Sequence, residues 1–199
     1  MRLKALESGL RPLQAVQLRL IKWITGYVPG PIAVMSYRRD LFGKYFAPII
    51  QVAMRRAKAW RVGDVELFAA FVSHQNQCTY CVGDHTAVAA LALRNDDLIK
   101  AALADWRTAP VSEPLRAMLG FLAKLTLSPA TVAQDDIQRL RDAQLTDQAI
   151  EEAIRVCFAF TIMNRLADAL DFEIPADAST RKEARILFTA GYGMASLPG

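Results

Sequence analysis

Apolar residues recur at three- and four-residue steps through almost the whole chain. Leu13, Val16, Leu20, Trp23 and Ile24 form one such stripe, the pattern of an amphipathic helix. GYVPGP at 26–31 breaks it. A second helix is expected over 38–60, bent at Pro48. A third starts at Gly63-Asp64, with Asp64 as its N-cap, and runs towards His74. The next opens in the cysteine segment and reaches Leu93. Asn95 or Asp96 caps a short helix to Trp106. TAPVSEP then links to an apolar helix from Glu113 to Leu127, and SPATVAQDD leads into helices near 134–143 and 146–170. A last helix is expected over 179–191. No convincing strand run is found, so the expected class is all-α. Segments 64–93 and 113–170 share this helical pattern, but their residues match too weakly to establish a repeat.

Composition narrows the class further. The 199 residues are 53% hydrophobic and 22% charged, which is globular and not disordered. The apolar runs fall well short of the roughly 18 residues of a membrane span, so no integral membrane segment is expected. The N-terminal stretch has charges scattered through it and no separate apolar core, and it does not read as an export signal. Three cysteines, two of them in CxxC, then point to a reducing compartment, the cytoplasm.

Charge is uneven. Residues 1–61 carry 12 Lys and Arg against two Asp and Glu, whereas the chain as a whole is only +4. A basic arm of this kind can meet nucleic acid or an anionic membrane. Here the basic residues interleave with core-type aliphatics and never form a run of five, which favours packing on the acidic remainder or on a second subunit; no nucleic-acid partner is expected. The chain divides on this reading into a basic N-terminal helical arm, 1–40, and a helical domain, 41–199.

One segment concentrates the chemistry. HQNQCTYCVGDH, residues 74–85, holds both histidines and two of the three cysteines. With Cys78 in the first turn of a helix, Cys81 and His85 follow at i+3 and i+7 on the same face. Two thiols and an imidazole are then presented together. A helix N-terminus favours a thiolate, as does a neighbouring base, and the thiolate is the nucleophile of disulfide exchange and of attack on peroxides. Glu66 sits in DVELFAAF, a carboxylate on an otherwise apolar helix. Such a group needs a partner or a wet site. If the two helices pack as a hairpin, Glu66 faces the thiols and His85.

A Glu, then CxxC twelve residues on, then a His four after the second Cys resembles the core motif of the alkylhydroperoxidase AhpD / carboxymuconolactone decarboxylase-like family. The flanks GYVPGPIAVMSYRRDLF, LRAMLGFLAKLTLSPATVAQDDIQRLRDAQLTD and FAFTIMNRLADALDF resemble its peroxidase-related branch, so the likeness runs over roughly residues 26–175. The resemblance implies an AhpD-like helical bundle assembled as a homo-oligomer, with no cofactor and no metal. It implies that Glu66 and His85 deprotonate Cys81, that Cys81 attacks a peroxide substrate, and that Cys78 resolves the product as a disulfide. A dithiol reductant, such as a lipoyl-type partner, would restore the thiols. Some members carry a second histidine between the cysteines; here that position is Tyr80, a poor base at neutral pH.

Other readings stay open at this point. C-x2-C-x3-H, with His74 or Glu66 as a fourth ligand, is the start of a structural zinc site, although a second ligand pair is missing. His74 is an accessory relay member or an ordinary polar position. Cys157, in IRVCFAF, reads as a core thiol. Asn164 and Arg165 stand out as polar residues in an apolar helix, with Asp168 one turn on. The function expected from the resemblance is that of a thiol-dependent peroxidase or disulfide reductase serving antioxidant defence. The alternatives are a carboxymuconolactone-type decarboxylase, which has no need of two vicinal thiols, and a non-catalytic redox-sensing oligomeric module.

Overall fold

A computed structural model describes residues 1–3 and 9–193. Among the described residues there are ten α-helices and no strand. They are α1 (Pro12–Thr25), α2 (Gly30–Tyr37), α3 (Ala47–Arg55), α4 (Val62–Gln75), α5 (Thr79–Leu93), α6 (Asp96–Asp105), α7 (Glu113–Leu127), α8 (Gln134–Asp142), α9 (Asp147–Leu170) and α10 (Asp177–Ala190). A π-helical turn, Arg39–Phe46, joins α2 to α3. No described helix is long and apolar enough to cross a membrane.

Helix α4 is the axis of the fold. Every residue from Gly63 to Ser73 is buried. A helix that is apolar all round has to be covered on all sides. α5 folds back on it as a hairpin, α7 and α9 cover its other faces, and α10 lies across α5. The segment after α3 is pinned to α9 by Glu152, whose two carboxylate oxygens accept from the backbone N–H groups of Lys58 and Ala59 at 2.9 and 3.0 Å. The hydrophobic core also takes in Tyr27, Val34 and Met35, so the α2 region packs with residues far along the chain.

The sequence pattern misplaced three features. Residues 38–60 are not one bent helix but a π turn and a short α-helix ending at Arg55. Pro48, in the first turn of α3, has no N–H to carry a regular ladder across the junction. GYVPGP breaks the chain only briefly. Pro29 and Pro31 flank the start of α2, where a missing N–H costs no hydrogen bond, so prolines that read as breakers open a helix. The Gly30 backbone carries the Phe172 ring so closely that a Cβ there would lie 2.2 Å from it. Asp64 is not the N-cap of α4. That position is Arg61, and the Asp64 carboxylate reaches back to accept from its backbone N–H at 3.2 Å and its Nε at 3.0 Å. The caps at Asn95 and Thr146 are formed as side-chain acceptors of the Leu98 and Ala149 N–H groups.

The α4–α5 turn decides where the cysteines go. Gln77 N–H bonds to His74 C=O and Cys78 N–H bonds to Ser73 C=O, both at 3.0 Å, with Gln77 left-handed at φ 60°. This is a Schellman closure of α4. Its last residue, Cys78, is at once the N-cap of α5. Gln77 occupies a conformation that glycine adopts without the Cβ penalty. Gln77→Gly should therefore stabilise the protein by about 0.5–1 kcal/mol, raising Tm by roughly 2–4 °C in a thermal melt; Gln77→Val should lower it.

Candidate active site

Glu66 lies one turn into α4 and is completely buried. The apolar run around it fixes its place in the core, so its charge must be met there. Three side chains from three other parts of the chain meet it. Arg55, the last residue of α3, donates from Nη1 to Oε1 at 2.6 Å, and its Nη2 is held by the Leu187 carbonyl at 2.7 Å. His85, two turns into α5, places Nδ1 2.7 Å from Oε2. Tyr192, just after α10, donates its hydroxyl to both oxygens at 3.0 and 3.1 Å. The His85 Nδ1–H is thereby committed to the carboxylate, which leaves Nε2 as the basic nitrogen of the ring. The ring is clamped between Tyr192, stacked at 5.9 Å, and the edge of Phe160 at 4.4 Å.

The two thiols sit at the N-terminus of α5, both buried. They hydrogen-bond to each other. That bond holds the Cys78 thiol below its ordinary pKa against the opposing effect of burial. The same bond, with burial, pushes Cys81 well up. Cys78 is thus the sulfur of the pair that more readily carries the charge. Asn164 adds a polar contact to Cys81, and is itself fixed by Asn76 and Ser73, each at 2.9 Å. All three cysteines of the chain are free. Cys157 is a buried core thiol near Thr126.

Cys81 and His85 open onto one small cavity of about 70 Å³, the share of liquid volume of roughly two waters. Its walls include Tyr80, Asp84, Glu183 and Tyr192, with Phe160 and Met163 from α9. Cys78 lies behind Cys81 and does not line it. Larger grooves lie elsewhere; the one between α7 and α8 is open and lined by side chains already paired, such as Lys124 with Asp136.

The structure therefore gathers Glu66, His85, Tyr80, Cys78 and Cys81. It does not gather His74, which is exposed in the last turn of α4. Among the described residues no three His, Cys, Asp or Glu side chains converge as ligands for a metal ion. Arg165 bonds to the Thr161 carbonyl at 2.8 Å rather than pairing with Asp168. Sequence reasoning missed Arg55, Tyr192, Asp84 and Glu183. Arg55 was one of a dozen basic residues, Tyr192 stands 126 positions from Glu66, and no local pattern marks either. Asp84 alone carried a signal, as a carboxylate inside the cysteine segment.

No family model matches the chain, and neither does any curated protein. Solved structures do. A peroxidase-related protein from Silicibacter sp. superimposes with a TM-score of 0.76 at 22% identity, covering 89% of this chain and 92% of its own. An alkylhydroperoxidase AhpD core protein from Ralstonia eutropha gives 0.71 at 20%, covering 96% and 94%. This is the AhpD-like fold. The debrominase Bmp8, in complex with 2,3,4-tribromopyrrole, shares it with a TM-score of 0.69 at 21% identity, over 94% of each chain.

Two outcomes follow from the buried charges of this AhpD-like site. Arg55→Met should cost about 3–5 kcal/mol in chemical denaturation, because it strands the Glu66 carboxylate; the double variant with Glu66→Gln should recover much of that loss. Burial raises Glu183 to about 7, opposed by a hydrogen bond from Tyr27. A carboxyl with a raised folded pKa binds its proton more tightly folded than unfolded. Its contribution is full below the unfolded value and is lost as pH rises through about 7. Stability measured from pH 5 to 8 should fall with pH, and Glu183→Gln should flatten that slope.

Proposed function

We propose that the protein is a thiol-dependent peroxidase that uses Cys78 and Cys81 as a redox pair and Glu66–His85 as its base. One observation carries this reading. The Cys81 thiol and an imidazole whose other nitrogen is locked to a buried carboxylate line the same small cavity. His85 Nε2 takes the Cys81 proton, directly or through a water. Glu66 orients the ring and stabilises the imidazolium, and Arg55 and Tyr192 hold Glu66. Cys81 is the attacking sulfur because it faces the cavity. Cys78, one turn away and the better thiolate of the pair, attacks the resulting sulfenic acid, and the Cys78–Cys81 disulfide forms with loss of water. An external dithiol, of the lipoyl kind, then exchanges with the disulfide. The free thiols fit a reducing, cytoplasmic setting.

The AhpD-like neighbours support the reading through the fold they share with this chain. A dithiol could also reduce a carbon–halogen bond, which makes debromination the second reading; turnover of a bromopyrrole against turnover of a peroxide separates the two. Decarboxylation leaves the dithiol without a role.

Glu66→Gln and His85→Gln should each slow peroxide-driven disulfide formation by about 10²–10⁴-fold without loss of helix. Because they act as one unit, the double variant should be far from multiplicatively worse. His74→Gln should have little effect. Wild-type rates in both Glu66→Gln and His85→Gln would sink the relay.

The reading includes a homo-oligomer in which the basic arm, 1–40, meets a second copy. Helix α1 turns Leu13, Val16, Leu20, Trp23 and Ile24 outward, with Trp23 81% exposed. Sizing should give more than a monomer at micromolar concentration, and Trp23→Asp should shift the population towards monomer.

A further inference from the structure

The base accounts for part of the cavity lining and leaves another part unexplained. That part holds Asp84 and Glu183, each 7% exposed, and Tyr80, 5% exposed. Asp84 stands one turn after Cys81 on α5, on the same face. Glu183 comes from the inward side of α10, while its neighbours Arg181, Lys182 and Arg185 point to solvent. Among the described residues no ion pair reaches either carboxyl. Glu183 accepts a hydrogen bond from the Tyr27 hydroxyl. The Tyr80 hydroxyl is buried and lines the cavity beside Asp84 and Tyr27, with no well-aligned hydrogen bond to either. A hydroxyl so placed can turn towards a ligand in the cavity.

Two carboxylates without a cation cannot both ionise at close quarters in a buried site. Tyr27 supports the charge on Glu183, so the shared proton belongs on Asp84. Of the other groups around Asp84, Cys78 and Glu66 are anionic when charged and neither Tyr80 nor Tyr27 offers a cation; His85, in the same cavity, becomes cationic only once it has taken the Cys81 proton. Burial and the Glu183 charge accordingly hold Asp84 well above the usual carboxyl range.

We infer that Asp84 is a general acid which, with the Tyr80 hydroxyl, receives the leaving oxygen of the peroxide, and that Glu183 is the positioning residue that keeps Asp84 protonated. The inference rests on the thiol-peroxidase reading. The Cys81 thiolate forms an S–O bond to the terminal oxygen of ROOH, and the O–O bond breaks. Its electron pair departs on RO⁻, which takes the Asp84 proton and leaves as ROH. Sulfur is oxidised to the sulfenic acid and the peroxide is reduced. The base holds the proton that Cys81 gave up, Asp84 has lost one, and exchange with solvent resets both.

The test uses the reduced full-length protein in stopped flow with hydrogen peroxide, peracetic acid and iodoacetamide. Hydroxide needs a proton to leave well; acetate and iodide do not. Asp84→Asn should slow reaction with hydrogen peroxide by roughly 10²-fold, slow peracetic acid far less, and leave alkylation of the thiols no slower. Glu183→Gln should move to lower pH the point at which the peroxide rate, taken relative to alkylation, falls away, since Asp84 would lose its proton more easily. Equal losses with both oxidants and iodoacetamide, or a wild-type rate with hydrogen peroxide, would overturn the acid role while leaving the Glu66–His85 relay standing. If Asp84→Asn fails to fold by circular dichroism, an unmoved pH limb in Glu183→Gln overturns it instead. A wild-type protein that forms no disulfide with either oxidant overturns the thiol-peroxidase reading itself, and the acid with it.

Discussion

The buried Glu66 carboxylate is the constraint on which the rest of the molecule depends. It sits at zero exposure on the helix against which α3, α5, α6, α7 and α9 pack. An ionised carboxylate there costs several kcal/mol of desolvation unless it is paired and hydrogen-bonded. The chain answers from three directions. α3 ends on Arg55, α5 brings His85, and the chain returns after α10 to supply Tyr192. The guanidinium is tied in turn to the Leu187 carbonyl, so the C-terminal helix is docked by the same charge that orients the imidazole. Stability and chemistry are thereby one network.

A second constraint comes from the three-residue turn between α4 and α5. Its Schellman closure makes Cys78 the last residue of one motif and the first of the next. The Cys81 backbone N–H then lies beside the Cys78 sulfur, and the hydrogen bond between the thiols lowers Cys78 and raises Cys81. The outcome is a graded pair. In the mechanism we propose, the sulfur that meets the cavity gives its proton to a base and attacks first, and the sulfur behind it makes the second attack.

In the mechanism we propose, the titratable groups around the cavity divide into two sets of opposite task. In one, a carboxylate paired with a guanidinium orients the imidazole that takes a proton. In the other, burial and the Glu183 charge favour the protonated form of Asp84. Environments that drive similar groups apart in this way assign acid and base without any change of residue type. Tyr80 belongs to the second set. It packs edge-on against Phe172, whose ring rests on Gly30, so the GYVPGP segment bears on the site through this contact as well as through the Tyr27–Glu183 hydrogen bond and through Pro29 and Pro31 in the cavity wall.

The sequence by itself determined the helical class and most helix positions, because a 3.6-residue apolar period survives in every helix that has one solvent face. It also determined the Glu66, Cys78, Cys81 and His85 set, because their spacing is local: CxxC and the following histidine share one helix face whatever packs on it. It misled where local chemistry has two uses. The prolines of GYVPGP read as breakers and open α2, and Asp64 reads as a cap and braces one from the third position. What only the tertiary structure decided is which distant groups converge. Arg55 and Tyr192 reach Glu66 across 11 and 126 positions, and Glu183 faces Asp84 from the last helix. Nothing periodic marks those residues. Their importance comes from the low dielectric of a shared interior, where each charge must find its partner, and that interior exists only once the chain has folded.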